Sequence, residues 1–370
     1  MTLTILLSCT SASAAWAHVK WFSRFSFRDE PRTLAEAVTP TFLALALLSV
    51  VVVGGMVPLD RWLKGNAGYQ RINQWLEARS DRSRLVMRVG TGMVLLLAWQ
   101  ADLVLVPALP IPAPWVGWFQ FALAALLLFE RTTALAGAGL LVLFALGVRE
   151  VGLYYMLDYL LVVGVGYYLM ATGSRERRLA GSALPALYAT VGFSLCWVAL
   201  EKIVWTEWGL YVLQQNPQLA LGLDLGFFLL AAAFVEFCLG YLLIINLLQR
   251  PLALVITLTF FATTLVFGKT EVIGHTLIHA ALIVFLLEGP GATFRPPIAL
   301  HSRLSLRTAF AAVNLALLLA VLLPIYATGA AAMHRAALRE ADPTTAPARR
   351  DGGGDVGADT GLVPAPVAVH

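Results

Sequence analysis

The sequence predicts an all-α fold: a polytopic transmembrane bundle of about ten helices with both ends extracytoplasmic. Three observations carry that prediction. The composition is 59% hydrophobic and only 13% charged over 370 residues, with a mean hydropathy of +0.77. An ordinary soluble domain is roughly 45–50% apolar and about 25% charged, so a soluble protein of this size has too little interior to hide this much apolar side chain. The apolar residues also fall into ten runs of about spanning length, at 40–57, 86–106, 114–130, 133–148, 152–170, 184–204, 218–247, 251–268, 271–288 and 307–328. Finally, the basic residues gather in alternate loops between those runs.

The remaining totals narrow the class. A net charge of +4 with pI about 9.0 is mild, and in a membrane protein it reflects loop placement, so no nucleic-acid partner is expected. The three cysteines, Cys9, Cys196 and Cys238, form no C-x-x-C pair. A disulfide framework, a zinc ribbon and a dithiol exchange motif are all unsupported. A soluble enzyme and a disordered chain are excluded by composition.

At the amino terminus, a short apolar run at Leu3 to Leu7 and small residues from Ser8 to Ala15 precede Ala15-Trp16-Ala17, an A-x-A cleavage pattern. Residues 1–17 therefore read as a signal peptide and 18–39 as an extracytoplasmic segment. Cleavage there would make His18 the first residue. An amino-terminal histidine offers an α-amino and an imidazole nitrogen, a pair suited to copper or zinc.

The spans follow in order, and the loops orient them. With the mature amino terminus outside, the inside loops hold Arg61, Lys64, Arg71, Arg79, Arg82, Arg84, Arg88, Arg131, Arg175, Arg177, Arg178, Arg250, Arg295, Arg303 and Arg307. The outside loops hold only Arg149, Lys202 and Lys269. This split of 15 to 3 is the positive-inside pattern of ten spans with both ends outside. Trp115, Trp118, Trp205 and Trp208 fall at outer span edges, where an aromatic belt is expected. The stretch from Asp60 to Arg84 reads as an amphipathic segment on the inner head groups. Spans one to five make a first region at 40–170, spans six to nine a second at 184–290, and 307–328 a last helix. Residues 329–370, rich in Ala, Gly, Pro, Asp and Arg, read as a disordered extracytoplasmic tail holding His334 and His370.

Ionisable residues inside such spans are costly, about 3 kcal/mol each at mid-bilayer on insertion scales, and mark candidate sites. In the ninth span, Glu271, His275 and His279 recur every four residues and share a helix face. Histidine titrates near neutrality and ligates metals when neutral. Glu201 and Lys202 end the sixth span and point about 100° apart, so each needs its own partner. Lys202 has the stem length to snorkel outward. The seventh span holds Asp224 near its outer end and Glu236, with Gly240 on the same face, near its centre; Asp158 lies in the fifth.

Two site readings use these residues, and a third leaves them as interhelical polar glue. A metal site at the outer side would take His18, His275, His279, Glu271 and Glu201, with copper or zinc as the ion. A proton pathway would use Asp158, Glu236, His275 and His279, with Asp224 and Lys202 as further candidates. No catalytic residue can be assigned.

Residues 184–290, with Glu201-Lys202-Ile203, Asn216-Pro217, Phe234-Val235-Glu236-Phe237, Gly240, Phe267-Gly268 and Glu271-Val272-Ile273-Gly274-His275, resemble the DoxX-like family of bacterial membrane proteins. Ala17-His18-Val19-Lys20-Trp21-Phe22 resembles the mature start of a group of bacterial inner-membrane proteins. The resemblance implies a four-helix module and the bacterial inner membrane, and carries no mechanism. Three functions stay open: metal handling or redox association, proton-coupled transport, and non-catalytic assembly with other membrane subunits.

Overall fold

The computed structural model describes residues 19–291 and 303–341, all helix, turn and loop. The signal-peptide expectation, His18 and His370 lie outside these residues. Among the described residues there are fourteen α-helices. A short α1 (Leu34–Ala37) carries a capping box between Thr33 and Glu36. It leads into α2 (Pro40–Gly65) and the amphipathic α3 (Ala67–Glu77). Then come α4 (Ser83–Gln100), α5 (Pro114–Leu126), α6 (Thr133–Val151), α7 (Leu153–Met156) and α8 (Leu161–Ala171). The second half holds α9 (Arg177–Val204), α10 (Thr206–Gln215), α11 (Leu225–Ile244), α12 (Gln249–Phe267), α13 (Lys269–Glu288) and α14 (Leu304–Ala341).

Every apolar run seen in the sequence becomes a helix, but not every one becomes a full span. Seven helices are long and apolar enough to cross a membrane, and α7 with α8, bent by 61° at their break, form either a broken eighth span or a re-entrant loop. The remaining pair, α4 and α5, form a hairpin. The second run ends at Gln100, not 106, because residues 101–113 make a closed loop pinned by an antiparallel bridge between Leu103 and Pro110. Asp102 sits in that loop with φ 57° and is exposed. The buried Gln120 of α5 staples the loop: its side chain accepts from Leu105 N and donates to the carbonyls of Leu95 and Leu103. The thirteen residues of α5 reach about 20 Å, short of the ~30 Å hydrocarbon layer.

The described ends meet on one face: His334 Nδ1 of α14 lies 3.0 Å from the carbonyl of Phe27. The last helix runs to Ala341, so residues 329–341 are helical and not part of the expected disordered tail. At the opposite end, Arg250 caps α13 by donating to Leu286 and Leu287, and Arg88 caps α5 through Leu127 and Leu128. A cation against helix C-terminal carbonyls is electrostatically favoured.

The core is built around α9 and α11, whose apolar windows are each 67% buried, against 22% for α2 and α14. A Cβ on either Gly192 or Gly240 would fall 2.5 Å from the other glycine's carbonyl oxygen. Small residues here let the two backbones touch, as membrane helix pairs favour. Cys196 packs at the same crossing, its Sγ near Phe237 O. The helix α13 packs between α12 and α4, so the 184–290 segment shares its interior with the first region.

A buried ion-pair network as the candidate functional site

Residues 19–33 fold back over one end of the helix bundle and close the site. Phe27 lies among Tyr154, Tyr155, Trp205 and Trp208. Trp208 Nε1 donates to Asp29 Oδ2 at 2.7 Å, and Arg32 N donates to Val204 O at 2.8 Å. Phe22 stacks on Phe267 at 4.3 Å. Trp205 and Trp208 are thus buried under this segment and do not form a lipid-facing belt; Trp115 and Trp118 remain exposed. Sequence reading misplaced the first pair because a span edge facing lipid and one facing a folded segment have the same composition.

The segment delivers Lys20 into the bundle. Its Nζ sits 2.5 Å from Asp158 Oδ2 and 2.6 Å from Glu201 Oε2, 4.5 Å from the centroid of Tyr155, and all three charged side chains are buried. Burial opposes the charge on Lys20, but the carboxylates of Asp158 and Glu201 more than offset it and hold its pKa above the usual lysine range. The neighbouring Trp21 donates from Nε1 to Tyr159 OH at 3.0 Å. Its indole lies against Gly274 of α13, where a Cβ would fall 2.1 Å from the ring. Neither Lys20 nor Trp21 was recognised in the sequence as a site residue. The available signal was a lysine beside a tryptophan just past the cleavage pattern, and a glycine one residue before His275.

Two further pairs complete the network. Lys202 Nζ donates to Glu236 Oε2 at 2.7 Å, joining α9 to α11. Lys202 is 1% exposed, so it does not snorkel. Glu271 and His275 pair along α13 through Oε2 and Nδ1. The His275 ring stacks on Phe260 at 4.1 Å and lies 5.1 Å from Trp21. A cavity of about 20 Å³ opens between these groups, lined by Asp158, Glu236, His275, Tyr159 and Trp21 among others. That is room for about one water molecule.

The expected residues therefore divide. Asp158, Glu201, Lys202, Glu236, Glu271 and His275 come together in one buried region. Asp224 does not: exposed, it caps α11 by accepting from Phe227 N at 2.8 Å. His279 is half-buried and opens into a different space, between α4, α12 and α13. The four-residue repeat in α13 thus serves two sites. Among the described residues, no group of three or more His, Cys, Asp and Glu side chains is placed to hold a metal ion.

Comparison with family models, with curated proteins and with solved structures finds no match. Fold and site together define the class: a multi-pass α-helical membrane protein with a buried charge network in its helical core.

Proposed function

We propose that the buried network binds and releases protons, and that the protein couples this to transport or to a partner's chemistry. One observation carries the reading. Among the described residues, four buried carboxylates (Asp158, Glu201, Glu236 and Glu271) surround two lysines (Lys20 and Lys202) and one histidine (His275). Even with His275 charged, one acid lacks a matching cation. An unmatched buried charge costs several kcal/mol, so a proton is the cheapest way to neutralise it. The excess falls at Asp158 and Glu201, which share one ammonium. Asp158, Glu236 and His275 face the same water-sized cavity, which gives a proton a place to move.

Infrared difference spectroscopy of the reconstituted protein over a pH titration tests this. The expected result is a protonated-carboxyl band that disappears in Glu201→Gln or Asp158→Asn. No such band, together with proteoliposomes whose proton uptake is unaltered by Glu236→Gln, overturns it.

A metal reading keeps one specific support. His18 is bonded to Val19, the first residue of the buried turn that carries Lys20 and Trp21 into the site. Elemental analysis of purified protein whose amino terminus has been sequenced separates the two readings. Bound copper or zinc that is lost in His275→Ala favours the metal.

For location, we infer the bacterial inner membrane, with the end bearing Arg84, Arg88 and Arg250 on the cytoplasmic side. The basic-residue bias and the DoxX-like resemblance of residues 184–290 support this.

A further inference from the structure

Outside the network, a groove of about 510 Å³ lies between α4, α12 and α13. Its rim residues Leu85, Val89, Met93, Phe261 and Ile283 are exposed on the apolar flank of the bundle, so the groove opens sideways toward lipid. A volume of this size suits a small molecule. Its wall is apolar except for Glu271, His279 and two threonines, Thr264 and Thr276, whose hydroxyls donate to the carbonyls of Phe260 and Val272 in their own helices. Glu271 is fully buried, in the first turn of α13. His279 lies near the middle of α13, its ring stacked at 4.7 Å on Phe261 and edge-on to Phe260 at 6.1 Å. No described residue hydrogen-bonds to the His279 ring.

A histidine packed against two aromatic rings near the middle of an apolar helix, with no hydrogen bond from any described residue, is open to a partner from the lipid phase. A neutral imidazole can donate one hydrogen bond and accept another. A phospholipid head group stays at the interface, about 15 Å from mid-membrane, and does not reach this depth. The molecule that fits carries its polar group into the hydrocarbon layer itself.

We propose that this groove binds a membrane-dissolved amphiphile whose hydroxyl or carbonyl head group hydrogen-bonds to His279. The apolar body lies along Val89, Met93 and Ile283, and the head sits between His279 and Phe261. Glu271 lines the groove and pairs with His275, which lines the inner cavity, so the occupant rests one ion pair away from the network. The site stands on its own geometry and does not require that the network bind protons.

The test uses the full chain in nanodiscs and a photoactivatable diazirine analogue of farnesol, with the corresponding hydrocarbon lacking the hydroxyl as control. Labelling should concentrate on α4, α12 and α13. It should fall at least about five-fold without the hydroxyl or in His279→Phe, the fold-change that one net hydrogen bond corresponds to. Val89→Trp, a change at an exposed rim position that takes part in none of the ion pairs, should block it. Labelling spread evenly over α2, α6 and α14, or equal with and without the hydroxyl, or unaltered in both variants, overturns the proposal. The hydroxyl comparison uses unaltered protein, so a variant that fails to fold leaves the test intact. Because labelling reads no proton, it can fail while the infrared experiment succeeds, and the reverse.

Discussion

The two ends of the molecule use the same interaction to opposite effect. At the end bearing the basic loops, Arg84 meets Glu130 at 2.7 Å, with the acid 69% exposed, and Arg250 meets Glu77 at 3.2 Å, with the acid 55% exposed. Toward the other end, the pairs of Lys20 with Asp158 and Glu201, and of Lys202 with Glu236, have similar lengths and exposures of 2% or less. Distance does not distinguish them; solvent does. An exposed pair contributes about 0–1 kcal/mol because water and salt screen it. Removing one member of a buried pair costs about 3–5 kcal/mol, since the other charge is left without compensation.

The largest effect is therefore expected from Lys20→Met, which strands two carboxylates at once. Denaturant unfolding in mixed micelles should show a loss of at least ~3 kcal/mol, insensitive to salt. A loss under ~1 kcal/mol would erase the distinction between the two ends. Next comes Lys202→Met, with a loss of about 3–5 kcal/mol that the double change Lys202→Met with Glu236→Leu should largely recover, because an apolar pair replaces an unmatched charge. A double variant no more stable than the single would place the role of Lys202 elsewhere. Gly274→Ala sharpens the contrast from the packing side. The added methyl meets the Trp21 indole, and a cost of about 1–3 kcal/mol is expected, with Trp21 fluorescence shifted as the amino-terminal segment lifts. Smallest is Arg84→Ala, at most ~1 kcal/mol, and shrinking further as salt is raised.

The two ends also differ in how much of them could be read in the sequence. The basic end was legible. Arg84, Arg88 and Arg250 were placed together by loop charge alone, because the bias acts on loops one at a time and needs no contact. The buried network was half legible. Asp158, Glu201, Lys202, Glu236, Glu271 and His275 stood out as ionisable residues in apolar runs, and the step of four joined Glu271 to His275. Their cross-helix partners were not legible. Lys20 lies 138 residues from Asp158, and Lys202 lies 34 from Glu236; no periodicity links positions on different elements. The fate of Lys202 stayed open between snorkelling and a place in the site, because a lysine near a span end has the same pattern whether it snorkels or is capped by a folded segment.

What the amino-acid sequence determined by itself is whatever the lipid dictates locally: helices wherever apolar runs reach spanning length, and basic residues gathered in alternate loops. Both follow from the cost of exposing backbone and charge to hydrocarbon, which each segment meets alone. Tertiary structure decided the rest. It folded residues 19–33 inward to supply Lys20, set Trp21 on Gly274, turned His279 toward the groove between α4, α12 and α13, and shortened α5 behind the Gln120 staple. Each of these depends on which helices touch, and that is a property of the packed bundle that no single segment encodes.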